Sequence, residues 1–340
     1  MNSTDYTPLP LPEVYCPFPE DFTTGPHPHG KEAERAIFDV FNNTGDPFLC
    51  DLAARGPALP LATHGASLFL GTSTPALRAG LMHLSFLDTV DDWAEGLYEY
   101  GDAENFASAR ETLLAFLRRA RQILQGAPVT ADDSPMAKFC HHWLQAFIEV
   151  APQWDRRRLI SFMWSYFQSQ LWDLDLARMK STPPLDVFIP YRIDSSALES
   201  INEILLPLYG LQVPSPVLEH PAVRRLRQAV ACWCAWLNDV FGANVELQAN
   251  VVSVGLVMVL QHELGCGWHT AQEAAVDLMH KEMTTYLDIK KRLPQLGVAV
   301  DEHLARYMYQ LETMMANYLV LHTIDPHING ITHEGPGSET

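Results

Sequence analysis

The stretch Phe86-Leu87-Asp88-Thr89-Val90-Asp91-Asp92-Trp93-Ala94-Glu95 gathers four carboxylates into little more than two helical turns. On a helix, Asp88, Asp91 or Asp92, and Glu95 recur at three- and four-residue steps, so their carboxylates project from a common face. Like charges stacked in this way repel, and no Lys or Arg falls between Arg78 and Arg110 to relieve them. Magnesium is a hard cation that takes a few carboxylates, water and phosphate oxygens, so such a cluster at a cavity mouth suits it. The spacing by itself leaves a metal site and an acidic solvent face both open. A second stretch, Trp236 to Glu246, places Asn238 and Glu246 eight residues apart with Gly242 midway. An amide oxygen and a carboxylate then share one helix face. Taken alone, that pair fits a polar surface stripe equally well.

The elements that must carry these residues are helices. From about Lys31 onward apolar residues recur at three- and four-residue steps and strand-like alternation is scarce, which predicts helices over 75–98, 107–124, 136–150, 156–178, 222–241, 245–262, 271–292 and 301–322. Asp133-Ser134-Pro135 supplies a cap and a helix-starting proline, Ser181 to Pro184 ends a long helix, and Pro214 to Pro216 interrupts another. Leu159 to Leu174 is apolar nearly all the way round, with Phe162, Met163, Trp164, Tyr166, Phe167 and Trp172 crowded together. Such a helix is buried on several sides, and its aromatics are either core or cavity wall. No repeat or linker divides the chain, so the expected fold class is all-α, a single domain.

Composition narrows the partners. With 340 residues, 47% of them hydrophobic, the chain can bury a large core. Acids outnumber bases by 41 to 23, a net charge of −18, which argues against a nucleic-acid or anionic-membrane partner. An acidic protein that handles an anionic substrate needs divalent cations between the two. No uncharged apolar run reaches about 18 residues, so no membrane span is expected. The segment from Met1 to Glu20, rich in Pro and acid, lacks the pattern of a signal peptide, and residues 1–30 are expected to form a disordered lead-in. The six cysteines make no metal or disulfide framework and read as reduced thiols of a cytoplasmic protein.

Taken together, the two motifs resemble those of class I terpene synthases of fungal and bacterial type. Asp91-Asp92-Trp93-Ala94-Glu95 is similar to their DDxxE metal motif, with Asp88 one turn earlier, and Asn238-Asp239 with Glu246 is similar to NDxxSxxxE. The family also carries a diphosphate-sensing arginine about forty-six residues before the second motif, at the end of a Pro-containing loop, and Arg192 in Pro184 to Ser196 stands there. The resemblance covers most of Leu70 to His327 and implies a helical bundle over 31–327 around a central apolar cavity, with 328–340 a flexible tail. It implies a prenyl diphosphate substrate, farnesyl diphosphate above all, and three Mg2+ ions held by Asp88, Asp91, Asp92, Glu95, Asn238, the Gly242 position and Glu246. It further implies a homodimer, Ser195 as a linker, and Ser196 as the residue whose carbonyl points into the pocket from a helix break. A guanidinium suits phosphate oxygens because its donors form a planar fork and it stays charged in a closed site. Phe86, Phe162, Tyr166 and Trp236 are the aromatics expected to face the substrate.

The chain departs from that pattern in three places. Gly242 stands where Ser or Thr is usual, Val245 where a Lys often precedes the final Glu, and the family's C-terminal Arg-Tyr pair falls near Pro326-His327. His327, His322, Lys281 and Arg306 are the candidates to replace the lost contacts. Two other readings stay open: a prenyl-coupling transferase of the squalene or phytoene synthase kind, and a non-catalytic binding protein that keeps the fold.

Overall fold

The computed structural model describes residues 9–18, 27–55, 65–98, 103–249 and 254–324. Among them are thirteen α-helices, a 3₁₀ turn at Leu293–Leu296, and no strand. After α1 (Gly30–Thr44) and α2 (Pro47–Arg55) come α3 (Thr74–Tyr98), α4 (Ala103–Leu124), α5 (Pro135–Val150) and α6 (Arg157–Met179). The chain continues through α7 (Leu185–Ser195), α8 (Leu198–Leu208), the single turn α9 (Ser215–Leu218) and α10 (Pro221–Ala249), and ends with α11 (Leu256–Leu264), α12 (Trp268–Arg292) and α13 (Glu302–Ile324).

Local chemistry sets several boundaries. Ser134 caps α5 by accepting from the Ala137 N–H at 3.2 Å, with Pro135 behind it. Helix α6 closes at Lys180, which takes a left-handed φ of 50°. The helix bounds around the second motif differ from expectation. A break was expected after Phe241, but α10 runs unbroken from Pro221 to Ala249 through Gly242. Asn238 and Glu246 therefore lie on one continuous helix. Its long apolar face, packed against α12, α13, α8 and α7, outweighs the weak helix propensity of a single glycine. The expected helix over 245–262 begins instead at Leu256.

Tertiary packing also forms α7 and α8, which propensity alone does not reveal, since each holds an internal proline (Pro190, Pro207). Helix α8 is buried along its whole length. It approaches α3 so closely that a Cβ on Gly80 would lie 2.9 Å from the Phe69 ring and 3.1 Å from Leu208. His83 ties the two helices by pairing with the Ser200 hydroxyl at 2.9 Å while stacking on Trp143, and its burial lowers its pKa to about 3, so it is neutral.

Residues 9–18, expected as part of a disordered lead-in, are packed. Leu9 is buried and exchanges two backbone hydrogen bonds with the Asn244 side chain, at 2.8 and 3.1 Å. Further on, Phe18 meets Tyr286 of α12 edge to face. A short segment thus braces the half of α10 that carries the second motif. The tail 328–340 and Asn250 to Ser253 lie outside the described residues. Among the described residues no helix is long and apolar enough to cross a membrane.

Candidate active site

Helices α3, α6, α10 and α13, with the α7–α8 junction, enclose a cavity of about 330 Å3, at the small end of the roughly 300–1,000 Å3 range of small-molecule pockets. Its walls are mainly aliphatic, including Leu84, Leu87, Leu198, Ile201 and Met314, and its rim carries Asp88, Asp91, Asp92, Arg192, Ser195, Ser196 and Asn238. The structure therefore brings three carboxylates of the first motif, the candidate sensor arginine and the start of the second motif to one opening.

The acidic rim is under electrostatic stress. Asp88 Oδ2 is buried with no hydrogen-bond partner among the described residues, and burial, then Asp92 and Asp91, raise the Asp88 pKa to about 8. Asp91 opens onto the mouth, yet the protein packed round it raises its pKa, opposed by Gln170, whose amide donates to its Oδ1 at 3.3 Å. Asp173, one turn beyond Gln170 on α6, faces the same charges. Its pKa is raised by burial and then by Asp91. Carboxylates gathered without enough cations to neutralise them form the donor set a hard divalent ion satisfies. Among the described residues no three of them close into a complete cage. Phosphate oxygens and water complete the coordination in sites of this type.

On the opposite rim Arg192 is held by α10. Its Nη2 lies 2.6 Å from Asp239 Oδ1 and its Nε 3.0 Å from the same oxygen; Nη2 also donates to Asn238 Oδ1 at 3.3 Å, and Nη1 to Ser195 Oγ at 3.4 Å. Burial works against the guanidinium's charge, but Asp239 more than offsets it and raises the pKa further. Asp239 Oδ2 accepts in addition from the Leu256 N–H at the start of α11. Sequence reasoning gave Asp239 no role beyond its place in the motif. Nor did it single out Gln170 and Asp173, although they follow Tyr166 by four and seven residues on α6, a spacing that puts all three on one helix face.

Other expected residues fall differently. Tyr166 lines the cavity and donates to the Leu87 carbonyl at 2.8 Å. Phe86 does not face it; the ring stacks on Trp143 and meets Phe139 and Phe167 within the core. Phe162 turns to another side of α6, where the Arg227 and Arg158 guanidinium carbons lie 5.1 and 5.8 Å from its ring and Arg227 pairs with Glu199 and Glu203 at 2.8 Å each. Trp236 is buried but is not part of the wall. Aromatics are spread round several sides of α6, so residue type alone does not tell which of them meets the cavity. The second aromatic of the wall is Tyr318 on α13.

The helix break expected at Ser196 falls one residue later. Ser196 keeps a helical φ of −73°, and Ala197 takes the left-handed φ of 54°. Glu95 is exposed beyond the cavity wall, Gly242 faces open space, and the Glu246 side chain lies outside the described residues. Of the candidate replacements for the C-terminal pair, His322 lines the cavity, Lys281 and Arg306 are exposed elsewhere, and His327 lies outside the described residues.

An all-α chain with acidic and arginine-bearing rims around an apolar cavity has the architecture of the class I isoprenoid synthases. The model of terpene synthase family 2, C-terminal metal binding, matches residues 83–285, and the chain belongs to that family. It is similar to 10-epi-cubebol synthase of Sorangium cellulosum, with 24% identity over 87% of this chain and 90% of that protein. It is also similar to sesquiterpene synthase 3 of Postia placenta, with 25% identity over 69% of this chain and 61% of that longer relative. The solved structures of a hedycaryol synthase with HEPES (TM-score 0.73, 20% identity, 93% of this chain and 99% of that one) and of linalool/nerolidol synthase from Streptomyces clavuligerus (TM-score 0.75, 16% identity, 91% and 99%) share the fold.

Proposed function

We propose that the protein converts farnesyl diphosphate to a sesquiterpene, with release of diphosphate and dependence on Mg2+. The observation that carries the reading is the meeting of Asp88, Asp91, Asp92, Arg192 and Asn238 around one apolar cavity. Asp91, Asp92, Glu95, Asn238 and Glu246 would hold Mg2+, with Asp88 beside them, and a water would stand in for the missing oxygen at Gly242. Three ions is the proposed number. When bound, Mg2+ supplies positive charge that stabilises the departing diphosphate.

The chain's own residues do the rest. Arg192 binds phosphate oxygens through its planar donors, held at the rim by Asp239, and Ser195 and Ser196 lie at the turn that follows it. The aliphatic wall excludes water and folds the hydrocarbon chain. Tyr166 and Tyr318 present the aromatic faces available to a cation. The six unpaired cysteines fit a reducing, cytoplasmic setting.

The test incubates the purified protein with Mg2+ and C10, C15 or C20 prenyl diphosphates, measuring diphosphate release and analysing products by gas chromatography. Turnover of the C15 substrate to a C15 hydrocarbon or alcohol is expected. Absence of diphosphate release from all three rejects the proposal, and coupled products of double chain length reassign it to a prenyl transferase.

A further inference from the structure

The rim of the cavity contains a chain of hydrogen bonds that reaches beyond the two motifs to α13. His322, 1% exposed, has its Nδ1 2.7 Å from the Tyr318 carbonyl oxygen and its Nε2 3.3 Å from the Asn238 side-chain nitrogen. Asn238 Oδ1 in turn accepts from Arg192 Nη2 at 3.3 Å. The donor and acceptor roles permit one consistent arrangement. A carbonyl oxygen only accepts, so Nδ1 carries the proton; in the neutral ring Nε2 then accepts, and it receives an N–H of the Asn238 amide. That orientation sends Asn238 Oδ1 toward Arg192, which only donates. Reversing the amide would set N–H against N–H at Arg192 and oxygen against a lone pair at His322. The ring itself is packed against Tyr318, tilted with centroids 4.2 Å apart, and against Phe241, edge to face at 6.0 Å.

An asparagine binds a hard cation through its oxygen and never through its amide nitrogen. We infer that His322 is a positioning residue that orients the Asn238 side chain through Nε2, so that its oxygen and not its nitrogen faces the Mg2+–diphosphate site. The inference rests on the proposed role of Asn238 as a metal ligand. It gives α13 a part in the site that does not require His322 to touch the substrate, while Pro326-His327 stands where the family's Arg-Tyr pair is expected. Residues that orient a metal ligand in this way typically contribute a factor of about 10–100 in metal affinity or activity.

The test compares full-length wild type with His322→Leu, His322→Gln and Asn238→Ala. Binding of Mg2+ in the presence of inorganic diphosphate is measured by titration calorimetry, and the Mg2+ dependence of turnover is measured beside it. His322→Leu, which cannot accept a hydrogen bond, is expected to raise the half-saturating Mg2+ concentration about 10-fold or more. His322→Gln, whose amide oxygen can accept near the Nε2 position, is expected to recover most of that loss. Unchanged Mg2+ binding in His322→Leu, with weakened binding in Asn238→Ala, overturns the inference and leaves the ligand reading intact. Equal losses in the Leu and Gln variants overturn it too, because they indicate packing and not an acceptor. Wild-type binding by Asn238→Ala removes Asn238 from the ligand set, and the inference falls with it.

Discussion

Arg192 and Asp239, 47 residues apart, meet at 2.6 Å across the rim of the cavity, and the same carboxylate receives the first N–H of α11. The candidate diphosphate-binding cation is therefore held, before any substrate arrives, by an acid that is itself 2% exposed.

Replacing that acid with its neutral isostere leaves Arg192 charged and without its counter-ion. Breaking a buried pair from one side costs about 3–5 kcal/mol, so Asp239→Asn is expected to lose stability of that order in denaturant titrations. Inorganic diphosphate with Mg2+ offers Arg192 a substitute anion. It should raise the melting temperature of the variant more than that of wild type. Equal shifts would mean that diphosphate does not reach Arg192.

Gly242 lies in mid-helix with open space where a Cβ would project, nothing lying within 4 Å. Gly242→Ser therefore fits without repacking, and should stabilise α10 by about 0.5 kcal/mol through helix propensity. If the serine oxygen replaces a metal-bound water, the half-saturating Mg2+ concentration for diphosphate release falls several-fold. A variant that is more stable but unchanged in Mg2+ dependence would separate Gly242 from the metal site.

Ala197 holds a left-handed φ of 54° at the α7–α8 junction and lines the cavity. Glycine accepts that conformation freely, so Ala197→Gly should keep or raise stability by up to about 1 kcal/mol, since relief of strain is partly offset by unfolded-chain entropy. A β-branched side chain does not accept it, and Ala197→Val should cost about 1–3 kcal/mol. Thermal melts of the two variants check the sign. Tolerance of valine would mean that the junction adopts another conformation in solution.

Far from the cavity, Asp133 accepts from Arg119 at 2.6 Å and from the Thr130 N–H at 2.7 Å. The arginine hydrogen bond, then the backbone one, hold its pKa well below the usual carboxylate range. A depressed folded-state value stabilises the protein fully above the unfolded value of about 4. That stability is lost as pH falls from there through the folded value. The stability gap between wild type and Asp133→Asn should be constant from pH 5 to 7 and shrink below pH 4. A gap that is constant down to pH 2 would remove the ion pair from the account.

Much of the site was legible because its signals are local. A helix turns once in 3.6 residues, so the spacing within Asp88 to Glu95, and from Asn238 to Glu246, fixes which side chains share a face whatever the rest of the chain does. The same periodicity outlined most of the long helices. It did not reveal α7 and α8, whose prolines argue against helix and whose burial argues for it.

From the sequence alone came the helical class and the acidic faces, and from its resemblance to a known family the placement of Arg192 as their partner. The tertiary structure decided which aromatics meet the cavity: Tyr166 and Tyr318, with Phe86 in the core and Phe162 under two arginines. It also moved the helix break to Ala197 and tied Asn238 to a histidine 84 residues further on. The physical reason is range. Periodicity and charge spacing act within two turns of helix, whereas the side of an aromatic-rich helix that faces a void, and the partner that completes a buried amide, depend on packing between elements distant along the chain.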